Sequence, residues 1–321
     1  MTTNRRIHTV TSLAASGTSR RAIAREVNEG RLIPLRPGVW ANAGETTARQ
    51  HQLDLVTAAS FLAPTSALSH VTASAVHALP LPSKGLDHLW VTNPRPGGGH
   101  RRRLMTTIGR MLPPEHVVVI DGHRTTTLER TVIDMATEFG FETGLMTADA
   151  GLRLGADPQV LADVLETCGR PRGLGHARQV VAFADGRIES PGESLIRAKW
   201  HCAGVPQPVP QFVIRNSTGQ FLGRGDFAWP DERVLAEYDG RTKYGSLLKP
   251  GQSVQDVIIA EKKREAGIVD AGWTVLRFTV KDLATTDGSA QRILRALDRA
   301  KRAAGPQAGS NNGYRGAIGS F

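Results

Sequence analysis

The chain has 321 residues, a length that suggests two domains with room for a small third. Its formal charge is +10 and its pI about 10.2, which favours a polyanionic partner, nucleic acid first. Two separate cysteines and no C-x-x-C pair argue against a disulfide framework or a structural zinc site. No apolar run has the length of a membrane span, and the basic N-terminus lacks the apolar core of a secretion signal. We therefore expect a cytoplasmic protein without a membrane partner.

Residues 1–45 predict two helices followed by a two-stranded wing. Ser19 is placed to cap the second helix, and Gly30 is placed to end it. The Pro37-Gly38 turn then separates two short strands. This order is that of a winged helix-turn-helix. The segment holds seven arginines against three glutamates, a net charge of +4.

Basic side chains gather on the second predicted helix, on the wing and in a later Gly-rich hairpin, "PRPGGGHRRRLMTT". A winged domain lays its second helix in the major groove, where arginines near the helix start reach phosphates or bases. The hairpin lacks the Gly-Lys-Ser/Thr ending of a P-loop, so it is either a solvated tip or a phosphate-contacting patch. The predicted DNA-binding residues are Arg20, Arg21, Arg25, Arg31, Arg36, Arg101, Arg102 and Arg103. The alternative for the first segment is a small basic domain that docks a protein.

Residues 46–185 predict a small α+β domain. Two helices come first, then strands at "DHLWVTN" and "EHVVVIDGHRTTT", and then a long helix that begins at "TLERTVIDMA". A basic, Gly-rich loop at "GRPRGLGHARQVVAFADG" leads into one more helix. His70 and His77 could share a helix face. With no acidic residue near them in sequence, they are expected to pack or cap rather than bind a metal ion. Nothing in this segment has the pattern of an enzyme site.

The candidate chemistry lies in residues 186–302, which predict the element order α-β-β-β-α-β. Alternation along "RVLAEYDG" puts Glu237 and Asp239 on one face of a strand. Asp226 lies on the preceding strand, and Glu193 lies in the first turn of the preceding helix. Clustered carboxylates repel one another unless a cation lies between them, and Mg²⁺ or Mn²⁺ takes such oxygen ligands.

A metal ion in this cluster, next to Lys243 or Lys262, is suited to phosphodiester hydrolysis because it activates water and neutralises developing charge. The candidate catalytic set is Asp226, Glu237, Asp239, Lys243 and Lys262, and the candidate metal ligands are Glu193, Asp226 and Glu237. The alternative is a degenerate fold that only binds DNA or protein, with its acids paired to nearby basic residues.

The first two segments resemble AbiEi-type antitoxins and transcriptional regulators. The resemblance rests on "SRRAIAREVNEGRLIPLRPGVW", on "LSHVTASAVHALPLP" and on the series Arg130, Thr131, Asp134. It implies regulation of transcription and antagonism of a nucleotidyltransferase toxin, as in type IV toxin-antitoxin systems.

About a third of the chain resembles the PD-(D/E)xK nuclease superfamily, and within it the very-short-patch-repair-like endonucleases. The matching string is "ESPGES…GVPQPVPQ…GRGDFAWP…AEYDGRTKYG…EKKREAGIVDAGWTVLRFT". The resemblance implies that Asp226 and Glu237 bind the metal ion and that Glu193 is the acidic residue of the helix. Asp239 stands where the superfamily usually has lysine, and the chain has no histidine after His201. These departures favour the non-enzymatic alternative.

Together these patterns predict an α+β / α/β multidomain protein. A winged helix-turn-helix (1–45) precedes an AbiEi-like α+β domain (46–185) and a restriction-endonuclease-like α/β domain (186–302). The composition of residues 303–321 is that of a disordered tail. Two alternative functions are expected. One is a DNA-binding protein with a Mg²⁺-dependent nuclease, and the other is a repressor and antitoxin with an inert last domain.

Overall fold

A computed structural model describes residues 5–59, 62–240, 254–284 and 286–304, which include most of the predicted elements. The chain divides into two compact units, Met1–Ala198 (unit 1) and Lys199–Phe321 (unit 2). Lys243 and nearly all of the predicted tail lie outside the described residues. Within the described ranges, no helix combines the length and the apolar character needed to cross a membrane. The finer boundaries at residues 45 and 185 stay predictions.

Unit 1 begins with two helices and a small antiparallel sheet in the order β1-β3-β2. The Ser19 hydroxyl accepts a hydrogen bond from the backbone N–H of Ala22 at 3.2 Å, so the predicted cap is confirmed. Leu13, Ile23 and Leu32 form the core of this part. Its elements are β1 (Ile7–Thr9), α1 (Val10–Ala15), α2 (Arg20–Asn28), β2 (Leu32–Arg36) and β3 (Val39–Asn42). The predicted helix-helix-hairpin order is confirmed, and β1 is a further strand.

The middle of unit 1 is a six-stranded mixed sheet in the order β6-β7-β5-β4-β9-β8, with two helices beside it. These elements are α3 (Ala48–Thr57), β4 (Ala67–Leu68), α4 (His70–Val76), β5 (Leu89–Asn93), β6 (His100–Arg102), β7 (Met105–Gly109), β8 (Val117–Ile120) and β9 (His123–Thr126). A short 3-10 turn at Pro114–His116 precedes β8. Leu35 of β2 shares a core with Leu55 and Leu89, so the N-terminal hairpin and this sheet bury a common apolar surface.

Helices complete unit 1, and they pack around a second core that contains Ile133, Leu145, Leu161 and Val180. They are α5 (Leu128–Arg153), α6 (Pro158–Thr167) and α7 (Leu174–Phe183). Helix α5 is interrupted at Gly140, whose φ of 83° is not helical. Helix α6 adds to the predicted elements.

The predicted order α-β-β-β-α-β is confirmed in unit 2, and two helices that were not predicted follow it. The chain passes into unit 2 within α8 (Pro191–Cys202), and the other elements are β10 (Val209–Arg215), β11 (Phe221–Trp229), β12 (Val234–Asp239), α9 (Val254–Asp270), β13 (Thr274–Thr279), α10 (Val280–Ala284) and α11 (Thr286–Ala304). The strands lie in the order β10-β11-β12-β13, and only β12 and β13 are parallel. The Trp200 ring packs edge-on against Phe227 and Phe278, with centroid distances of 5.2 and 5.1 Å.

Candidate functional site

Three of the predicted acidic residues share one region of the unit 2 sheet. Phe227 of β11 lies opposite Ala236 of β12, and the next residues outward are Asp226 and Glu237. The Asp226 carboxylate accepts a hydrogen bond from the backbone N–H of Tyr238 at 2.7 Å, just beyond the last paired residues. Strand alternation puts Asp239 on the same face as Glu237. Asp226 therefore lies next to the end of β12 that carries Glu237 and Asp239.

Positive charge next to these acids comes from two arginines that sequence reasoning did not select. Arg277 lies beside Glu237 in the parallel pairing of β12 with β13. Its guanidinium is 3.3 Å from Glu237 and 3.5 Å from Asp239. Arg264 of α9 approaches the other oxygen of Glu237 at 2.7 Å. Both oxygens of a largely buried carboxylate are thus engaged by guanidinium groups.

Two further acids from α9 complete an acid–arginine cluster, which we define as Glu237, Glu261, Arg264, Glu265 and Arg277. Glu261 contacts Arg264 at 2.7 Å and Arg277 at 2.8 Å, and Glu265 contacts Arg277 at 3.0 Å. The hydrogen bond from Arg264, with help from Arg277, lowers the pKa of Glu261 to about 2. The cluster therefore links α9 to β12 and β13 through ion pairs between carboxylates and guanidinium groups.

Two of the predicted metal ligands, Glu193 and Glu237, are engaged by other groups. Glu193, in unit 1, accepts hydrogen bonds from the Ser190 hydroxyl at 2.6 Å and from the backbone N–H of Glu189 at 3.0 Å, so its carboxylate serves the start of α8. Lys262 is exposed on α9. In the part of the chain that the structure describes, no three His, Cys, Asp or Glu residues gather as a metal site would require. A cation at Glu237 would have to displace guanidinium groups.

The predicted DNA-binding arginines fall into two groups. Arg20, Arg21 and Arg25 are exposed on α2, and Arg101 is exposed on β6. Arg36, Arg102 and Arg103 line a cavity in unit 1.

Arg31 differs from the other arginines of the first segment because two acids neutralise it. It lies 2.6 Å from Glu26 and also contacts Glu29. The hydrogen bond to Glu26 raises the pKa of the Arg31 guanidinium. Its contribution to a positive surface is therefore smaller than its position in the sequence suggested.

His70 packs inside unit 1, and the half-buried His77 lies at the C-terminal end of α4, in agreement with the predicted packing and capping roles. His70 is fully buried, its Nδ1 lies 2.8 Å from the Ser69 hydroxyl, and its ring stacks on Trp90. Burial lowers the pKa of His70 to about 4. His77 hydrogen-bonds the backbone carbonyl of Thr126 at 2.7 Å.

The chain is a mixed α/β protein of two units, with an arginine-bearing helix near its start and an acid–arginine cluster in its second unit. Two proteins of Mycobacterium tuberculosis are similar to it: the uncharacterized protein MT2308 of strain CDC 1551 / Oshkosh and the uncharacterized protein Rv2248 of strain ATCC 25618 / H37Rv. Each is 34% identical over 207 residues, which are 63% of this chain and 73% of the relative. The chain belongs to the family of these proteins. No family model matches it.

Proposed function

We propose that this chain binds DNA through a winged helix-turn-helix in residues 1–45 and acts as a transcriptional regulator of the AbiEi type. The observation that carries the proposal is the outward position of Arg20, Arg21 and Arg25 on α2. Arg20 and Arg21 form the first turn of α2, where the positive end of the helix dipole adds to their attraction for phosphate. The charge of +10 on the whole chain favours the same partner.

The test is a fluorescence-anisotropy titration of duplex DNA with the wild-type chain and with the Arg20→Ala/Arg21→Ala double variant. We expect the double variant to bind about tenfold more weakly, with a salt slope lower by about 2, because two phosphate contacts are lost. Arg178→Ala is the matched control, since it removes the same kind of exposed charge from α7. Equal weakening in the control, or unchanged binding in the double variant, would remove α2 from the interface.

The second candidate is Mg²⁺- or Mn²⁺-dependent cleavage of DNA, which the common sheet region of Asp226, Glu237 and Asp239 favours. The guanidinium groups on Glu237 favour the alternative, a last domain that does not cleave DNA, because they occupy the oxygens that a metal ion would need. Incubation of the protein with supercoiled, linear and mismatched DNA in the presence of either ion distinguishes these two alternatives. Cleavage that Asp226→Ala abolishes would establish the enzyme. If no DNA is cleaved and the ions do not change the melting temperature of the protein, the nuclease is excluded and transcriptional regulation is the remaining function.

The resemblance to AbiEi-type proteins also implies a protein partner, a nucleotidyltransferase toxin. The regulator and antitoxin roles are compatible, because one chain can bind DNA and a protein through different surfaces. Co-purification with such a toxin, retained by the Arg20→Ala/Arg21→Ala variant, would support the antitoxin role independently of DNA binding.

A further inference from the structure

A cavity of about 630 Å³ lies in unit 1, and Arg20, Arg21 and Arg25 are not among its lining residues. Its size is in the range of small-molecule sites, roughly 300–1,000 Å³. Residues of the β2–β3 hairpin form one side of it, and residues of the β6–β7 hairpin form another. The two hairpins thus line a space that neither of them forms alone.

The interior of the cavity is apolar. Three buried leucines from three separate elements line it: Leu35 of β2, Leu55 of α3 and Leu89 of β5. Trp40 and Met105 line it as well and are half-buried. An apolar group that enters this space would leave water and contact rigid core side chains, which is favourable by the hydrophobic effect.

The charged residues that line the cavity all carry the same sign. Arg36 comes from the end of β2, and Arg102 and Arg103 come from the β6–β7 hairpin. No acidic residue is among the described residues that line the cavity. Guanidinium groups bind carboxylates through paired hydrogen bonds, so three of them beside an apolar space favour a ligand with one anionic and one apolar end.

We propose that this cavity is a binding site for an organic carboxylate with an apolar chain or ring. The carboxylate contacts Arg36, Arg102 and Arg103, and the apolar body lies against the buried leucines. Arg36, Arg102 and Arg103 were expected from the sequence to contact DNA phosphates. The cavity gives them a different role, and the role does not depend on whether the chain binds DNA.

Isothermal titration calorimetry on the full chain, with decanoate as the probe, tests the site. We expect saturable binding of one decanoate per chain. Decanol lacks the charge and acetate lacks the apolar chain, so both are expected to bind at least about tenfold more weakly. Binding of decanol as tight as that of decanoate, or binding of decanoate without saturation, would overturn the proposal.

Two variants locate the binding. Arg102→Gln/Arg103→Gln removes two charged donors from exposed positions, so folding is preserved and decanoate affinity is expected to fall about tenfold to a hundredfold. Arg101→Gln is the matched control, because Arg101 is an exposed neighbour on β6 that does not line the cavity. Equal losses in the two variants, or no loss in either, would overturn the assignment.

The same variants separate this proposal from DNA binding. If these arginines only contact phosphates, Arg101→Gln and the double variant will both lower DNA affinity and neither will change decanoate binding, which would overturn the carboxylate site. Conversely, Arg20→Ala/Arg21→Ala is expected to leave decanoate binding unchanged, whatever it does to DNA binding. A failure of one proposal is therefore distinguishable from a failure of the other.

Discussion

At the scale of single residues, the positions in unit 1 that are most sensitive to substitution carry buried charges. Arg130 and Asp134 are both fully buried, and their side chains lie 3.0 Å apart. Arg110 approaches the same carboxylate oxygen at 3.3 Å. A pair of this kind adds little net stability, because desolvation offsets the attraction. Its loss is costly, since the remaining charge is then buried without compensation.

Replacement of Asp134 by Asn is accordingly expected to lower the free energy of unfolding by about 3–5 kcal/mol. The change keeps the shape of the side chain and removes the charge that faces Arg130. Urea denaturation of both proteins at pH 7 measures the difference. Asp121→Asn is the control: Asp121 is exposed in the β8–β9 turn at a φ of 49°, which asparagine tolerates. Similar losses in the two variants would contradict the role given to the buried pair.

At the scale of the secondary-structure elements, α5 depends on close packing around its interruption at Gly140. Residues on either side of the interruption approach each other, so that a Cβ on Gly144 would lie 2.6 Å from the Cβ of Ala136. The same Cβ would lie 2.9 Å from a methyl group of Val180 on α7. Only glycine allows this approach, and the approach positions α7 on α5.

Gly144→Ala is expected to destabilise the chain by about 1–3 kcal/mol through overpacking, although alanine favours a helix more than glycine does. Gly175→Ala in α7 is the matched control. A Cβ there would meet nothing within 4 Å, so the helix preference of alanine acts alone and stability is expected to rise slightly. Thermal unfolding compares the two variants. A gain in stability for both would show that α5 has room at Gly144.

The order of the elements was readable from the sequence because each one has a local signal. Ser19 caps α2 as predicted, and the alternation along β12 correctly put Glu237 and Asp239 together. Helix α6 also had a signal that was missed: Asp157 accepts a hydrogen bond from Gln159 N–H at 2.7 Å, and Pro158 occupies the first helical position.

The partners of the acidic residues were not readable in the same way. Arg277 lies beside Glu237 because β12 and β13 pair in parallel across α9, and a register of that kind depends on the packing of the whole unit. Three leucines far apart in the sequence likewise meet at the cavity only after unit 1 has folded. The sequence identifies the charged and apolar side chains, but only the packing of the folded unit determines which of them are in contact.

At the scale of the whole molecule, the pH dependence of stability follows from its buried histidines. His70 is fully buried, and burial lowers its pKa from 6.5 to about 4. Burial also lowers the pKa of His51, His88 and His116. Between about pH 4 and 6.5, His70 therefore binds a proton in the unfolded chain but not in the folded chain. This difference lowers stability as the pH falls through the window, and the other three histidines act in the same direction.

We expect the free energy of unfolding to decrease from pH 7 to about pH 4, with His70 alone contributing up to about 3 kcal/mol of the loss. His70→Asn is expected to flatten the profile, because asparagine does not titrate and tolerates the φ of 49° at this position. His176→Asn, at an exposed position on α7, is expected to leave the profile unchanged. Urea denaturation at several pH values gives the profiles. An equally steep loss in His70→Asn and in the wild-type chain would assign the pH dependence to other groups. Ion-paired carboxylates with a lowered pKa, such as Glu261, come first, because in the unfolded chain they take up protons at the lower end of the same range.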